Sequence, residues 1–494
     1  MKRSVFVIGI LVVLLGGAFW WLTEDNDRDG PGTGDLLFHC AAGLRKPMSE
    51  IARLYEEEFG VKVNLQFGGS GALASQLEVA GGDLYLPADQ SYIDSARDKG
   101  LMKEAIPVAL LTAGMVVPKG NPRDLTKLSD MGKKGLKISL AEKSASVGKF
   151  TWKVLEEEGL LARVNPNVVV TKPTVNAIVE DVATGAVDVS LAWDAVAKNF
   201  SEVEWIAVPE FSKRAKRASI GVLTSSKDAK RSLHFARYVT AQDRGRKIFQ
   251  KMGFMVPDEG DKWSDQPEVT FFSGSMLRPA IQERVREFEA REGCRVNTVF
   301  EGCGTLVAQM DAGAKPAGYF ACDTKFLNKV QERFFEGRIM TRNEIVLLVR
   351  IGNPKELRKL EDLGKLGVKL GICDGRKSAL GELTRIMLER RGLTEALEAN
   401  VAVKVAKGDD LVSALQARSL DAVLVYRSNA LASPVTLKEN EIVELKDELA
   451  FAEQPFAVAK ESAYPELMKR LGNFLATPEA RERFEELGFQ WELN

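Results

Sequence analysis

The sequence predicts an α/β protein made of two tandem domains, each two-lobed with mainly parallel sheets. A chain of 494 residues is too long for one ordinary hydrophobic core, so two or more domains are expected. A Gly-rich stretch also occurs twice: FGGSGALASQL begins at Phe67 and FEGCGTLVAQM begins at Phe300. The two stretches share most of their pattern, but Ser70 of the first corresponds to Cys303 of the second.

The spacing between these stretches recurs along the chain and indicates a duplication. The same offset of 233 residues pairs Gly148 with Gly381. A register held over a domain-sized length is typical of tandem domains and not of a solenoid of short repeats. The sequence therefore predicts one domain over residues 35–262 and a diverged copy over residues 267–494, joined by the polar segment PDEGDKWSDQPE.

Within each copy, strand-like and helix-like segments alternate. In the first copy, DLLFHCA has the composition of a buried strand, and MSEIARLYEEEFG has the period of an amphipathic helix that ends at Gly60. VKVNLQF, GLKISLAE and AVDVSLAW are further strand candidates, each followed by a helix-like stretch. This alternation predicts α/β sheets whose ligands bind where the strands end.

The N-terminus carries an apolar run that predicts a membrane anchor. Lys2 and Arg3 precede eighteen apolar residues from Val5 to Leu22, which is just enough for a helix to span a bilayer. The basic side is expected to stay cytoplasmic, so the bulk of the chain would be periplasmic or extracytoplasmic. Residues 1–34 are therefore predicted to be a signal anchor, a transmembrane helix and a linker, with a cleaved signal peptide as the alternative.

Composition argues against several classes of function. Lys and Arg total 68 against 69 Asp and Glu, so the chain lacks the basic excess of a nucleic-acid-binding protein. His39 and His234 are the only histidines, which disfavours histidine zinc sites and His-dependent catalytic triads. GGSGAL also departs from the G-x-S-x-G nucleophile motif, because Ala72 stands at the last glycine position. We expect no enzyme activity and no cofactor.

Three loops at predicted strand ends share a composition suited to anions. CAAGL, GGSGAL and SASVGK are small and rich in Gly, Ala and Ser, and each leads into a helix. Backbone N–H groups at helix N-termini bind anions through hydrogen bonds and the helix dipole. Such loops can also be ordinary turns, and it is their recurrence in one domain that favours an oxyanion site.

The ordered set of motifs in the first copy resembles the periplasmic molybdate-binding proteins of ABC transporters, which are type II solute-binding proteins. The resemblance rests on AAGL, FGGSGALASQL, GDLYLPAD, NPRDLTKLSD, TVNAIVEDVATGAVDVSLAWDAV and the ending FQKMGF. The second copy keeps NPKELRKLEDL, LDAVLVYRSNAL and TPEARERFEELGF. The resemblance implies two-lobed domains that close over molybdate or tungstate and present it to an ABC permease.

The resemblance also implies which residues contact the oxyanion. In the first copy the contacts fall on five residues: Gly43, Ser70, Val147, Val175 and Trp193. The family usually has Ser in place of Gly43 and Tyr in place of Trp193, so two hydroxyl donors are absent. An indole N–H remains as a donor at Trp193.

In the second copy the corresponding positions have diverged further. Met276 stands at the first serine position with Ser275 next to it, and Cys303 replaces the second serine. Leu380 corresponds to Val147, and Tyr426 restores the family's tyrosine. The second cleft is therefore predicted to be altered or idle as an oxyanion site.

Four of the five cysteines lie in the second copy, and three of them follow predicted strands. Cys303, Cys322 and Cys373 could bind a soft metal ion as a thiol cluster, or two of them could form a disulfide in an oxidising compartment. The alternative is that they are small buried thiols that fill loop positions. Their spacing does not match a zinc knuckle, so no metal site is predicted.

Taken together, the sequence predicts an extracytoplasmic solute-binding protein that captures molybdate or tungstate for an ABC transporter. A membrane-tethered sensor or interaction module with a diverged cleft is the alternative, since the anchor and the altered second copy would suit it. A binder of another anion or of a metal ion is a third interpretation.

Overall fold

The computed structural model describes residues 34–258 and 260–493. The predicted membrane anchor lies almost wholly before residue 34 and therefore outside the described residues. Among the residues that are described, no helix combines the length and the apolar character needed to cross a membrane.

The chain forms twenty strands and twenty helices within the described residues, besides several short 3-10 turns. The strands are β1 Leu36–Ala41, β2 Val63–Gly68, β3 Leu84–Leu86, β4 Met102–Leu111, β5 Ala113–Pro118, β6 Ile138–Ala141, β7 Val168–Lys172, β8 Val189–Trp193, β9 Val203–Ile206, β10 Lys216–Leu223, β11 Glu268–Gly274, β12 Arg295–Glu301, β13 Gly318–Phe320, β14 Arg338–Arg350, β15 Leu370–Cys373, β16 Val401–Val405, β17 Ala422–Tyr426, β18 Asn440–Val443, β19 Phe451–Val458 and β20 Gln490–Trp491.

The helices alternate with these strands for most of the chain. They are α1 Arg45–Phe59, α2 Ser70–Ala80, α3 Gln90–Asp98, α4 Ser146–Glu157, α5 Leu161–Val164, α6 Val175–Ala183, α7 Asp194–Ala197, α8 Pro209–Ser212, α9 Ala229–Thr240, α10 Gly245–Lys251, α11 Arg278–Glu292, α12 Cys303–Asp311, α13 Thr324–Asn328, α14 Ala379–Arg390, α15 Thr394–Glu398, α16 Gly408–Gln416, α17 Arg427–Leu431, α18 Thr436–Glu439, α19 Pro465–Phe474 and α20 Pro478–Glu486.

The first domain contains two sheets, one for each lobe. The first lobe is built on the sheet β2-β1-β3-β10-β4, and the second lobe is built on β7-β6-β8-β5-β9. The chain crosses from the first lobe to the second between β4 and β5, which Thr112 separates, and it returns with β10. Because these crossings lie side by side, they form a hinge about which such lobes can open and close.

The second domain repeats this arrangement with one difference. Its strands follow the order β12-β11-β13-β19-β14-β17-β15-β16, and β18 and β20 pair with β14. The long strand β14 pairs with β19 in the first lobe and with β17 and β18 in the second lobe. One continuous strand therefore replaces the β4–β5 pair of the first domain, and the two lobes of the second domain share one sheet.

The structure confirms two tandem α/β domains but corrects the prediction of mainly parallel sheets. In each lobe of the first domain three strands are parallel, for example β2-β1-β3, and the remaining two pair antiparallel. The antiparallel strands include β4, β5 and β10, which carry the chain between the lobes. Of these three, β10 and β5 run against the βαβ strands that they pair with, a direction that local sequence alternation does not reveal.

Local sequence explains why the helices begin and end where they do. The buried face of α1 consists of Met48, Ile51, Ala52 and Tyr55, which recur at helical spacing against the first sheet. The helix ends at Gly60, whose φ of 68° is the left-handed conformation that glycine adopts without strain. This placement agrees with the amphipathic period of the sequence.

The two domains meet through a buried ion network between their first lobes. Glu292, at the end of α11, is 1% exposed and pairs with Arg470 of α19 at 2.6 Å. Arg237 of α9 reaches the same carboxylate from the first domain, 3.6 Å away. Burial by itself would raise the pKa of Glu292, but the two arginines, Arg470 foremost, hold it below its usual range.

Further contacts between the domains surround this network. The Asp261 carboxylate accepts hydrogen bonds from the backbone N–H groups of Glu466 and Leu467 at the start of α19, at 2.7 and 3.0 Å. Arg291 of α11 pairs with Glu104 of β4. Within the described residues, the hydrogen bonds and ion pairs that join the two domains come from the first lobes and from the segment between the domains.

Glu292→Gln should destabilise the protein, because it leaves Arg237 and Arg470 buried without a counter-charge. We expect a loss of about 3–5 kcal/mol in the free energy of unfolding at pH 7, measured by urea titration. The folded-state pKa of Glu292 is depressed, so its stabilising contribution is lost as the pH falls. The difference between the two proteins should therefore shrink as the solution is acidified below the ordinary glutamate pKa of 4.5.

Glu283→Gln is the matched control, since Glu283 lies on the same helix and its side chain is 72% exposed in a pair with Arg286. It should change stability by less than about 1 kcal/mol. Equal effects of the two substitutions would contradict a central role for the buried network.

Candidate functional site

A small cavity lies between the two lobes of the first domain. All five residues assigned to the first copy by sequence resemblance line it, which places them together in space; their role as ligand contacts remains a prediction. The lining residues are Ala41, Ala42, Gly43, Gly68, Gly69, Ser70, Ala88, Ala145, Ser146, Val147, Thr174, Val175 and Trp193.

Three helices point their N-termini at this cavity. Helix α2 begins at Ser70 in the first lobe, while α4 begins at Ser146 and α6 at Val175 in the second lobe. The first N–H groups of a helix have no partner within the helix, and the helix dipole places partial positive charge there. The cavity is therefore surrounded by hydrogen-bond donors, although no charged side chain lines it.

Ser70 is positioned to donate into the cavity. It is 1% exposed, and its Oγ accepts a hydrogen bond of 3.2 Å from the backbone N–H of Ala88. Its backbone carbonyl accepts a bond of 2.7 Å from the Tyr85 hydroxyl, which fixes the first turn of α2. Because the Ser70 Oγ already accepts, its own proton is left to be donated elsewhere.

The absence of a serine at position 43 has a packing explanation. A Cβ on Gly43 would lie 3.0 Å from a methyl group of Val175, 3.1 Å from one of Val196 and 3.7 Å from Cδ1 of Trp193. The Trp193 ring is buried and stacks on Phe150 with centroids 5.9 Å apart. The larger ring and the two valines thus take up the space that a side chain at position 43 would need.

The glycines of FGGSGAL serve the contact between the lobes. A Cβ on Gly69 would lie 2.7 Å from the carbonyl oxygen of Pro173, and one on Gly71 would lie 2.5 Å from that of Ser144. The Gly71 N–H also donates a hydrogen bond of 2.8 Å to Ser144. Pro173 and Ser144 belong to the second lobe, so these two glycines let the backbones of the lobes touch beside the cavity.

Two cavity-lining hydroxyl residues were not among the predicted contacts. Ser146 is the first residue of α4, directly before the predicted Val147. Thr174 precedes α6, and its Oγ1 accepts a 3.4 Å hydrogen bond from the N–H of Ala177. Serine and threonine at the start of a helix are typical caps, so this signal was present in SASVGK and KPTVNA.

The second domain brings its four predicted residues into the equivalent region, and all four are buried. Cys303 begins α12 as Ser70 begins α2, and its Sγ accepts a 3.1 Å hydrogen bond from the N–H of Cys322. Ser275 lies in the short 3-10 turn after β11, and Leu380 is the second residue of α14. The Tyr426 hydroxyl is buried and has no hydrogen-bond partner within residues 34–258 and 260–493.

Cys322 changes the lining of the second cleft relative to the first domain's cavity. It occupies the position of Ala88, and Gly274 occupies that of Ala41, both of which line the first cavity. A Cβ on Gly274 would lie 2.0 Å from the Cys322 Sγ. The absence of a side chain at Gly274 therefore leaves room for the larger side chain of Cys322.

The three second-domain thiols do not form the metal cluster considered from the sequence. Within the described part of the chain, no three histidine, cysteine or carboxylate side chains are grouped so that they could hold a metal ion. Cys303 and Cys322 lie together in the first lobe, while Cys373 ends β15 in the second lobe and hydrogen-bonds with Ser378. All five cysteines are buried free thiols.

Comparison with known proteins agrees with a duplicated binding domain. Residues 36–255 and 269–490 each match the family of bacterial extracellular solute-binding proteins, so the chain belongs to that family. The match covers both domains, which confirms the sequence resemblance at the level of type II solute-binding proteins. The bulk of the chain is accordingly an extracytoplasmic solute-binding protein, a class of protein that is not enzymatic.

Individual relatives cover about half of this chain. A binding protein of Haemophilus influenzae is 26% identical over 228 residues, which are 45% of this chain and 91% of that protein. The molybdate-binding protein ModA of Mycobacterium bovis is 28% identical over 231 residues, covering 46% of this chain and 86% of ModA. Among solved structures, the periplasmic molybdate-binding protein of Azotobacter vinelandii aligns with 45% of this chain and all of that chain, at 14% identity and a TM-score of 0.40.

Gly71→Ala should loosen the closed state of the first domain, because the new methyl group would collide with the Ser144 carbonyl. Hydrogen exchange followed by mass spectrometry should show faster exchange in peptides around residues 69–73 and 142–147. Exchange in the second domain should not change. Ala72→Ser, an exposed neighbour on the same helix, is the control. Unchanged exchange in Gly71→Ala would show that the glycine contact does not hold the lobes together.

Proposed function

We propose that the first domain captures a tetrahedral oxyanion, molybdate or tungstate, and presents it to an ABC permease. The observation that carries this proposal is the small cavity between the lobes, where three helix N-termini meet and no charged side chain lines the wall. Backbone N–H groups and the hydroxyl groups of Ser70, Ser146 and Thr174 supply donors from both lobes. An anion held in this way would bridge the lobes and favour their closure.

The chemistry of the lining favours a fully deprotonated dianion. The cavity is rich in donors, and no carboxylate lines it that could accept a proton from the ligand. Hydrogen phosphate carries a proton that needs an acceptor, so it should leave an unmatched donor in the site. Molybdate, tungstate and sulfate carry no such proton, and the name of the Mycobacterium bovis relative supports molybdate among them.

The second domain is not proposed as an equivalent transport site. Sulfur atoms replace the Ser70 hydroxyl and the Ala88 methyl group at the matching positions, and α16 begins with Gly408, Asp409 and Asp410 where α6 begins with uncharged residues. Two carboxylates in the first turn of a helix compete for its positive end and repel an anion. This favours a sensing or interaction role for the second domain, and one oxyanion bound per chain.

Calorimetry of the region from Asp35 onward with molybdate, tungstate, sulfate and phosphate tests the proposal. We expect one bound anion per chain, with molybdate or tungstate tightest and phosphate weakest. Ser70→Ala should weaken binding by roughly 1.5–3 kcal/mol, since it removes a hydrogen bond to a charged ligand. Binding of none of the four anions at millimolar concentration would refute the proposal.

Ser75→Ala is the matched control for Ser70→Ala. Ser75 lies on α2, is exposed, and its hydroxyl donates to the Gly71 carbonyl at 3.3 Å. Its substitution should leave anion affinity unchanged. If both substitutions weaken binding equally, Ser70 acts through helix stability and not through a contact with the anion.

A further inference from the structure

The cleft of the second domain contains a pair of thiols that the proposed transport function does not use. Both sulfurs converge on one point, because a Cβ on Gly274 would lie 2.0 Å from the Cys322 Sγ and 3.2 Å from the Cys303 Sγ. The two thiols are close enough to hydrogen-bond to each other, in addition to the bond from the Cys322 N–H to the Cys303 Sγ. They are separated by 19 positions in the sequence, so their proximity comes from the fold.

The surroundings distinguish the two sulfurs. Burial alone would raise the pKa of Cys303, but hydrogen bonds from Cys322 outweigh burial and lower it. The Cys322 thiol, which donates to Cys303, has its pKa raised well above the usual range. Cys303 is also the first residue of α12, where the helix dipole stabilises a thiolate. Cys303 is thus the better nucleophile of the pair.

The second lobe covers this pair. A Cβ on Gly302 would lie 2.5 Å from the carbonyl oxygen of Lys377 and 2.7 Å from that of Ala406, and both residues belong to the second lobe. The Gly304 N–H donates to the Lys377 carbonyl at 3.0 Å. Because these contacts run between the lobes, opening of the cleft would uncover Cys303 without unfolding either lobe.

We propose that Cys303 and Cys322 form a reversible disulfide by exchange with a small-molecule disulfide when the second cleft opens. The Cys303 thiolate attacks one sulfur of the small disulfide, forms a mixed disulfide and releases one thiolate. That thiolate takes the Cys322 proton, and the Cys322 thiolate then attacks the Cys303 sulfur and releases the second small thiolate, which takes a proton from water. Two electrons pass from the cysteine pair to the small disulfide, which leaves as two thiols.

Disulfide formation suits both the extracytoplasmic location of the protein and the place of the two cysteines in the second cleft. Disulfides persist outside the cytoplasm, where the bulk of this solute-binding protein lies. The new S–S bond would lie where the first domain has its cavity, next to the unpartnered hydroxyl of Tyr426. The second domain would then report the thiol–disulfide balance around it, while the first domain keeps its own cleft.

The test uses the full chain, reduced, freed of reductant and incubated with oxidised glutathione. Thiols counted in denaturant should fall from five to three, and peptide mapping should show a Cys303–Cys322 bond. Cys322→Ser should stop at a mixed disulfide on Cys303, seen as a glutathione adduct by mass spectrometry. Cys303→Ser, which restores the serine of the first domain, should keep all four of its remaining thiols.

Cys373→Ser is the matched control, because Cys373 is a buried thiol of the same domain that lies in the other lobe. After incubation with oxidised glutathione, the thiol count of this variant should fall by two, as it does in the unaltered chain. Retention of all five thiols by the unaltered chain, or a bond that involves Cys373 or Cys294, would overturn the proposal. Anion affinity of the first domain should be equal before and after oxidation, so this test succeeds or fails independently of the transport proposal.

Discussion

The close approach of two backbones across each cleft is the contact on which the binding architecture depends. In the first domain the Gly71 N–H meets the Ser144 carbonyl, and in the second the Gly304 N–H meets the Lys377 carbonyl. A Cβ at either glycine would fall within 2.5 Å of a carbonyl oxygen of the opposite lobe, so only glycine permits the contact. Because the lobes close to this distance, the helix N-termini of both lobes come to surround one small cavity.

With that contact preserved, the chemistry between the lobes has been free to change. The first domain keeps a cavity lined by small residues, with Ser70 as a donor. The second domain has replaced Ser70 with Cys303 and Ala88 with Cys322, and it has lost a side chain at Gly274 to make room for the sulfur. One hydrogen bond is kept in both domains. In the first domain the Ala88 N–H donates to the Ser70 Oγ, and in the second the Cys322 N–H donates to the Cys303 Sγ.

Much of this arrangement could be predicted from the sequence, because it repeats. The duplication, the strand–helix alternation and the small loops placed Ser70 and Val147 at strand ends that the fold brings to one cavity, and the family resemblance added Val175. The direction of β5 and β10 could not be predicted, since these strands pair with partners far away in the sequence. The sequence left open whether Cys303, Cys322 and Cys373 form a cluster or are separate buried thiols, and the described residues show no group that could hold a metal ion.

The function of the glycines was also only partly visible in the sequence. Glycine next to a predicted anion site suggested room for a ligand, whereas Gly69 and Gly71 make room for the opposite lobe. Nothing near them in the sequence identifies Pro173 or Ser144 as their neighbours. The reason for glycine at position 43 was hidden in the same way. The Trp193 ring that limits the space there belongs to a strand 150 residues further along the chain.

The interface between the domains has a thermodynamic consequence. Its ion network joins first lobe to first lobe around Glu292, so swinging either second lobe breaks none of these contacts. Two sites are coupled only if binding at each one shifts the equilibrium of a structural element that both contact. The second lobes, which move when a cleft opens, contribute no such element to this interface. The free energy of closing one cleft should therefore not depend on whether the other cleft is open or closed.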